Sequence, residues 1–422
     1  MYLLADAYLK TGQKANARNA FLFSAANNSN PTQREISRFN YAKLSYELGY
    51  QDEALKNLRS FINDYPNSQY AEEATDLLVG ALANTNNYRE AMTMLESLRN
   101  PSTRTRQLYP RILYGRATEM INDGQLAEAD ALLDKALRDQ NNASVLPLIH
   151  FWKGELAYRA NNLDAAIQHY NAYLNGGAPV SGEATPANAR YNLGYVYYRK
   201  ENYGVAQSFF EPISRNASLS SDPITQDAYV RTADAYYMNR NYTTARNMYD
   251  NVIRYSWAAE DYATFQKAMI AGINSSSEKI AAMNTVIRKF PNSSLVMDAN
   301  MEIANTHLSN ERYAEAIPYL NNIVKATGNS SLKPQALLKL GTANYNLNNN
   351  EEAIRQYRSL LDLYPNAAEA DDAPGLVERL DHRVRRLLEV LARAALVVAH
   401  PDGAGLEVPE LSPATQAALR EV

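Results

Sequence analysis

The chain has 422 residues, with 42 Lys and Arg against 46 Asp and Glu, a formal net charge of −4. That balance argues against the basic footprint of nucleic-acid or anionic-membrane binding. The absence of cysteine excludes disulfides, thiolate metal sites, thiol catalysis and a lipid-anchoring Cys, and it suits the cytosol and the periplasm equally. A hydrophobic share of 46% predicts a folded protein, and 30 tyrosines are an unusual load.

The opening segment, MYLLADAYLKTGQ, has no basic region and no small-residue cleavage site. Its first residues already read as helix, which predicts further sequence upstream. No run of apolar residues is long enough to span a bilayer.

From there one alanine recurs in a fixed setting: Ala17, Ala54, Ala91, Ala129, Ala166, Ala206, Ala245, Ala316 and Ala353. The steps are 37 to 40 residues, except for one of 71 that divides at Lys279 in a degenerate copy. Ten copies thus cover residues 1–366. Twelve residues before the anchor stands a small residue: Ala5, Ala42, Ala117, Gly154, Gly194, Ala233, Ala304 or Gly341, with Val79 and Lys267 departing. Four residues after it stands a bulky one: Phe21, Leu58, Leu95, Leu133, Tyr170, Phe210, Tyr249, Met283, Leu320 or Tyr357. Small residues at two facing positions let two helices approach closely, and a bulky residue one turn on fills the space beside them. The unit is therefore a helical hairpin, helix A then helix B.

Punctuation agrees. Polar turns at Thr11-Gly12-Gln13, Asn86-Asn87, Asn122-Asp123-Gly124, Asn161-Asn162 and Asn348-Asn349-Asn350 separate A from B. Pro110, Pro147 and Pro334 are expected in the first turn of helix A. The segments beginning Tyr65-Pro66, Phe290-Pro291 and Tyr364-Pro365 are expected to end helix B. Pro212 and Pro318 fall inside B helices. The copy at about 259–291 is degenerate, with lysine at both small positions; it reads as local repacking or as a flex point between two arms. Two linkers, 175–186 and 215–224, are long.

The stretch NARYNLGYVYYRKENYGVAQSFFEPI, Asn188 to Ile213, resembles the tetratricopeptide repeat through Leu193-Gly194, Tyr197, Tyr203, Ala206 and Phe210. The stretch Ala336 to Pro365 is similar, departing at Asn344 where the family has Tyr. The resemblance implies an all-α fold, a right-handed α-solenoid of about ten helix pairs that serves as a non-catalytic scaffold for protein interaction. The segment FINDYPNSQYAEEA, Phe61 to Ala74, further resembles repeats of Gram-negative envelope proteins: outer-membrane assembly lipoproteins and periplasmic cell-division coordinators. It implies a periplasmic or outer-membrane-associated role in assembly or cell-wall coordination, with the cytoplasm as the alternative.

In such an array the A helices line the concave side. Groove positions fall one, four and five residues after the small residue. They give Glu155, Tyr158 and Arg159; Tyr195, Tyr198 and Arg199; Asp234, Tyr237 and Met238; and Thr342, Tyr345 and Asn346. Tyrosine and arginine are favoured at binding hot spots. The expected partner is an extended peptide or a protein. Two alternatives stand beside it: the tyrosines belong to the repeat scaffold, or the module binds glycan or peptidoglycan or acts as a spacer.

Catalytic patterns are missing. None of His150, His169, His307, His382 and His400 belongs to an HExxH motif or a metal-ligand spacing. No phosphate-cradling loop or GxSxG elbow occurs. The expectation is no enzyme, no cofactor and no metal.

Composition changes after residue 370. Residues 371–422 contain no Asn, Tyr or Lys. Leu376, Leu380, Val384, Leu387, Leu391 and Val398 form an amphipathic stripe that predicts a helix over about 373–399, followed by a loop and a short helix. Such a helix would cap the open face of the last repeat; the break in composition also fits a segment of foreign origin.

Overall fold

The computed structural model describes residues 1–382, apart from 216 and 372, together with residue 386. Secondary structure among them is α-helical, with short 3-10 turns and one isolated bridge between Ser181 and Ala184. The chain divides into two compact units, Met1–Asn241 and Tyr242–Val422.

In the first unit six hairpins follow one another: α1 (Tyr2–Lys10) with α2 (Lys14–Asn27), α3 (Pro31–Glu47) with α4 (Gln51–Asp64), α5 (Ala71–Asn84) with α6 (Tyr88–Ser97), α7 (Thr103–Asn122) with α8 (Leu126–Arg138), α9 (Leu146–Arg159) with α10 (Leu163–Asn175), and α11 (Pro186–Arg199) with α12 (Tyr203–Ser214); α13 (Pro223–Met238) closes the unit. The second unit holds α14 (Tyr242–Arg254) and three hairpins: α15 (Glu260–Ala271) with α16 (Ser276–Lys289), α17 (Val296–Ser309) with α18 (Tyr313–Lys325), and α19 (Leu332–Asn346) with α20 (Asn350–Leu363). Within each unit each helix packs on the next, and A helices two apart also touch: α3 on α5, α5 on α7 and α9 on α11 in the first unit, and α17 on α19 in the second. Successive B helices make no comparable approach, so within each unit the A helices form the inner side of the stack. The fold is an all-α solenoid of the expected kind.

The small-residue register explains why these hairpins close. Every anchor alanine is fully buried, and the bulky residues one turn on, from Phe21 to Tyr357, are all buried. Three glycines show how close the helices come. A Cβ on Gly154 would lie 2.9 Å from the Tyr170 ring, one on Gly194 2.6 Å from Phe210, and one on Gly341 2.3 Å from Tyr357. Where the bulky residue is leucine, as at Leu58, Leu133 and Leu320, the small position holds alanine: Ala42, Ala117 and Ala304. Every glycine at the small position thus faces a ring, whereas the rings of Phe21 and Tyr249 pack with alanine there, at Ala5 and Ala233.

The A–B turn repeats one backbone device. Five residues before the anchor the chain turns left-handed, at Gly12, Gly49, Asn86, Gly124, Asn161, Glu201, Arg240, Glu311 and Asn348. Glycine and asparagine adopt this conformation readily. Glu201, Arg240 and Glu311 carry no such preference, and tertiary closure imposes it on them. Helix A starts are equally regular in three hairpins. Asn30, Thr185 and Asp222 cap the backbone N–H groups of Gln33, Asn188 and Thr225, with Pro31, Pro186 and Pro223 next in line.

One proline expectation fails. Pro147 and Pro334 lie in the first turns of α9 and α19, but Pro110 lies well inside α7. The Ser102 hydroxyl accepts from the Thr105 N–H at 3.1 Å and starts the helix upstream of the proline. Tyr65, Phe290 and Tyr364 close α4, α16 and α20 as expected, and Pro212 and Pro318 lie inside α12 and α18.

The degenerate hairpin, α15–α16, closes differently. Lys267 pairs with Asp250, and Lys279 reaches Glu302 at 2.5 Å. The Lys279 stem passes Gly272, where a Cβ would meet it at 2.6 Å. No left-handed residue occurs at Asn274; Ser275 instead caps the Glu278 N–H at 3.2 Å. Beyond the last hairpin, residues 373–382 are helical. Ala373 and Leu380 are buried in one cluster with Tyr357 and Leu360, Leu376 and Val377 pack against that cluster, and Arg358 bonds Asp381 at 2.8 Å. The start of the tail thus covers the final hairpin. The predicted stripe from Val384 onward, and the loop and short helix after it, lie outside the described residues.

Candidate functional site

The inner face of α9, α11 and α13 carries the predicted groove residues of the first unit. Glu155 is held from two sides: Arg159 Nε donates to it at 2.7 Å and the Tyr170 hydroxyl at 2.9 Å. Asn192 adds a bond to that hydroxyl at 2.9 Å, tying α11 to the preceding hairpin. Arg199 does the same from its end of α11. Its guanidinium lies 4.9 Å from the centre of the Tyr158 ring, and it donates to the Tyr158 carbonyl at 3.2 Å and to Asn161 Oδ1 at 2.8 Å. Arg159 and Arg199 nonetheless remain exposed.

Next along the face, Tyr191 and Tyr195 both donate to Asp227 Oδ2, at 2.6 and 2.5 Å. Arg231 pairs with Asp227 and, at 2.5 Å, with Asp234. Both tyrosine rings meet Phe210 edge-on, at 5.9 and 5.3 Å between centroids. Burial, followed by the Asp227 hydrogen bond, pushes the Tyr191 and Tyr195 hydroxyls well above the phenol range. Tyr198 packs edge-to-face on Tyr203 at 5.1 Å, and burial, then the Asp234 charge, pushes it up to about 12. These phenols stay protonated at physiological pH and act as donors, not as bases.

The sequence positions therefore sort into two groups. Tyr158, Arg159, Tyr198, Arg199 and Tyr237 present at least part of themselves on the face. Asp234, at 2% exposure, lies beneath it in an ion pair, and Glu155 and Tyr195 anchor the wall from behind. Tyr345 and Asn346 belong to the second unit, where both are exposed and Asn346 donates to the Thr342 carbonyl at 2.8 Å. Sequence reasoning missed Tyr191, Asn192, Asp227 and Arg231. They stand two to six residues before the small position, one or two turns earlier on the same helices. Helical periodicity extended backward along each A helix would have found them.

Among the described residues no group of three His, Asp or Glu side chains could hold a metal ion. No helix among them is long and apolar enough to cross a membrane.

Tetratricopeptide repeat models match four stretches: one model covers residues 114–189 and 301–368, another 37–68 and 227–255. No curated protein sequence matches the chain. Among solved structures, a tetratricopeptide repeat protein from Parabacteroides merdae is similar at 15% identity, over 64% of this chain and 98% of that one, with a TM-score of 0.45. The C-terminal part of a repeat-containing protein from Cytophaga hutchinsonii is similar at 16% identity over 70% and 97%, with a TM-score of 0.34. Yeast Tom70 matches at 13% identity over 93% and 97%, with a TM-score of 0.39. The matched stretches fall on hairpins whose buried small-residue register is described above, and on both grounds these stretches of the chain are tetratricopeptide repeats.

Proposed function

We propose that the chain is a non-catalytic scaffold whose first unit holds an extended peptide or a protein segment against α9, α11 and α13. The observation that carries this reading is the fixed Arg199–Tyr158 stack, which bridges two consecutive hairpins and leaves two guanidinium groups exposed beside half-buried tyrosines. Holding long side chains in place before a partner arrives lowers the entropy cost of binding. A planar donor fork next to an aromatic face suits carboxylates, backbone carbonyls and aromatic side chains.

The test replaces Tyr158, Arg159, Tyr198 and Arg199 together with alanine and compares partner capture from the native host. At about 2 kcal/mol for each well-placed anchor, capture is abolished while helicity stays intact. Undiminished capture by the folded variant would refute the assignment.

Envelope placement belongs to the same proposal. Its support is the segment Phe61–Ala74, which spans the end of α4 and the start of α5. Fractionation of the native host checks it; recovery in the cytoplasmic fraction alone removes it.

A further inference from the structure

Hairpin α9–α10 contains a pair of side chains that no repeat requirement explains. His150 on α9 and His169 on α10 approach with their Nδ1 atoms 2.9 Å apart, their rings 5.2 Å apart and tilted by 34°. Both are partly buried. On α9 the neighbouring charge is Lys153, whose ammonium bonds Asp130 at 2.8 Å and Asp134 at 2.6 Å on α8. His169 and Lys153 line one cleft with Asp130 and Arg159. The pair thus lies beside one cation, Lys153, and the two carboxylates it engages, with Arg159 farther along the same cleft and paired with Glu155.

We propose that His150 and His169 form an acid-sensitive clasp that closes α9 onto α10 when neutral and loosens that hairpin when both rings are protonated. Two Nδ1 atoms at this separation hold one proton between them: one ring donates and the other accepts. The first added proton goes to a free Nε2 and leaves this bond intact; the second goes to the accepting Nδ1 and places two N–H groups head to head and two positive charges in contact, beside the Lys153 ammonium. The Asp130 and Asp134 carboxylates offset part of that repulsion for His169, and separation of the two rings relieves the rest. Burial acts in the same direction. It lowers the affinity of both rings for protons; for His169 the neighbouring His150 and Lys153 charges lower it further, and Asp130 and Asp134 oppose this without reversing it.

The sign follows by linkage. The folded rings bind protons less readily than the unfolded ones, whose pKa is about 6.5. As pH falls below that value, the unfolded chain takes up more protons and stability is lost. The loss continues until pH has dropped through the lowered folded values; above about pH 7.5 the clasp contributes fully. The two rings titrate as a unit, not independently. The clasp stands on its own geometry and is independent of the proposed groove, although Glu155, Tyr158 and Arg159 ride on the same helix.

The test uses the full chain, H150Q, H169Q and the double variant, with H307Q as a control because burial also lowers the His307 pKa. Glutamine keeps a polar partner without titrating, and circular dichroism at pH 7.5 checks that each variant is folded. Hydrogen exchange of α9 and α10 amides, corrected for intrinsic rates, is followed from pH 7.5 to 5.5. Each unit of mismatch between folded and unfolded pKa is tenfold in opening, so the wild type should open about tenfold or more faster at the acid end. The double variant should flatten that response, and H307Q should keep it. Proton NMR should show the His150 and His169 resonances titrating together below 6.5. An unchanged response in the folded double variant, or two independent titrations at 6.5, would overturn the clasp.

Discussion

The hairpins of the sixth and eighth sequence copies, α11–α12 and α15–α16, solve one packing problem in opposite ways. In α11–α12, Gly194 lets the Phe210 ring lie where a Cβ would stand 2.6 Å away, and the ring is fully buried. In α15–α16, lysines replace both small residues, Met283 replaces the ring, and the two ammonium groups reach outward to Asp250 and Glu302. One hairpin closes on a buried ring; the other closes on Met283 and the Lys279 stem, and its ion pairs tie it outward to α14 and α17. The lesson is that the repeat constrains contact distance at the crossing point, not residue identity. The side chains that can meet this distance differ greatly in how much they stabilise.

The largest expected effect is in the sixth hairpin. Phe210→Ala removes a ring with no solvent exposure and should cost about 3–5 kcal/mol, read from urea unfolding. Gly194→Ala comes next, at about 1–3 kcal/mol for overpacking. Phe210→Leu placed in the same chain should recover much of that cost, because it rebuilds the Ala–Leu pairing seen at Ala42 and Leu58. Additive losses in this cycle would show that the glycine–ring pairing is coincidental.

Lys279→Met sharpens the other side of the comparison. The pair with Glu302 is only partly buried, so its loss should change stability by about 1 kcal/mol or less. A loss above about 3 kcal/mol would mean that the eighth hairpin depends on the ion pair as the sixth depends on its ring.

The smallest effects concern the turns. Glu201→Gly and Glu311→Gly relieve left-handed strain and should each gain about 0.5–1 kcal/mol. Asn274→Gly, where the backbone is not left-handed, should gain nothing and lose a few tenths of a kcal/mol through chain entropy. Thermal midpoints of the three variants separate these outcomes.

Much of the fold is legible in the residues themselves. The alanine register located the crossing point of the hairpins, because volume at a helix crossing is a local property of two positions. The turn pattern is legible only in part. Gly12, Asn86 and Asn161 announce it, whereas Glu201, Arg240 and Glu311 take the same left-handed conformation only because the hairpins on either side leave no other. Pro110 misled because helix start depends on Ser102, eight residues earlier.

The candidate face shows the same division. Tyr158, Arg159, Tyr198 and Arg199 could be placed by counting from a small residue. That Asp234 is buried and paired, that Asp227 gathers two tyrosines and an arginine, and that His150 meets His169 could not. Sequence by itself determined the repeating unit, its period and its inward face, since these follow from helical periodicity and side-chain volume within about forty residues. Tertiary structure alone decided which polar groups of neighbouring helices satisfy one another. The His150–His169 and Tyr158–Arg199 pairings join residues 19 and 41 positions apart, and their distances depend on how closely each helix settles onto the next.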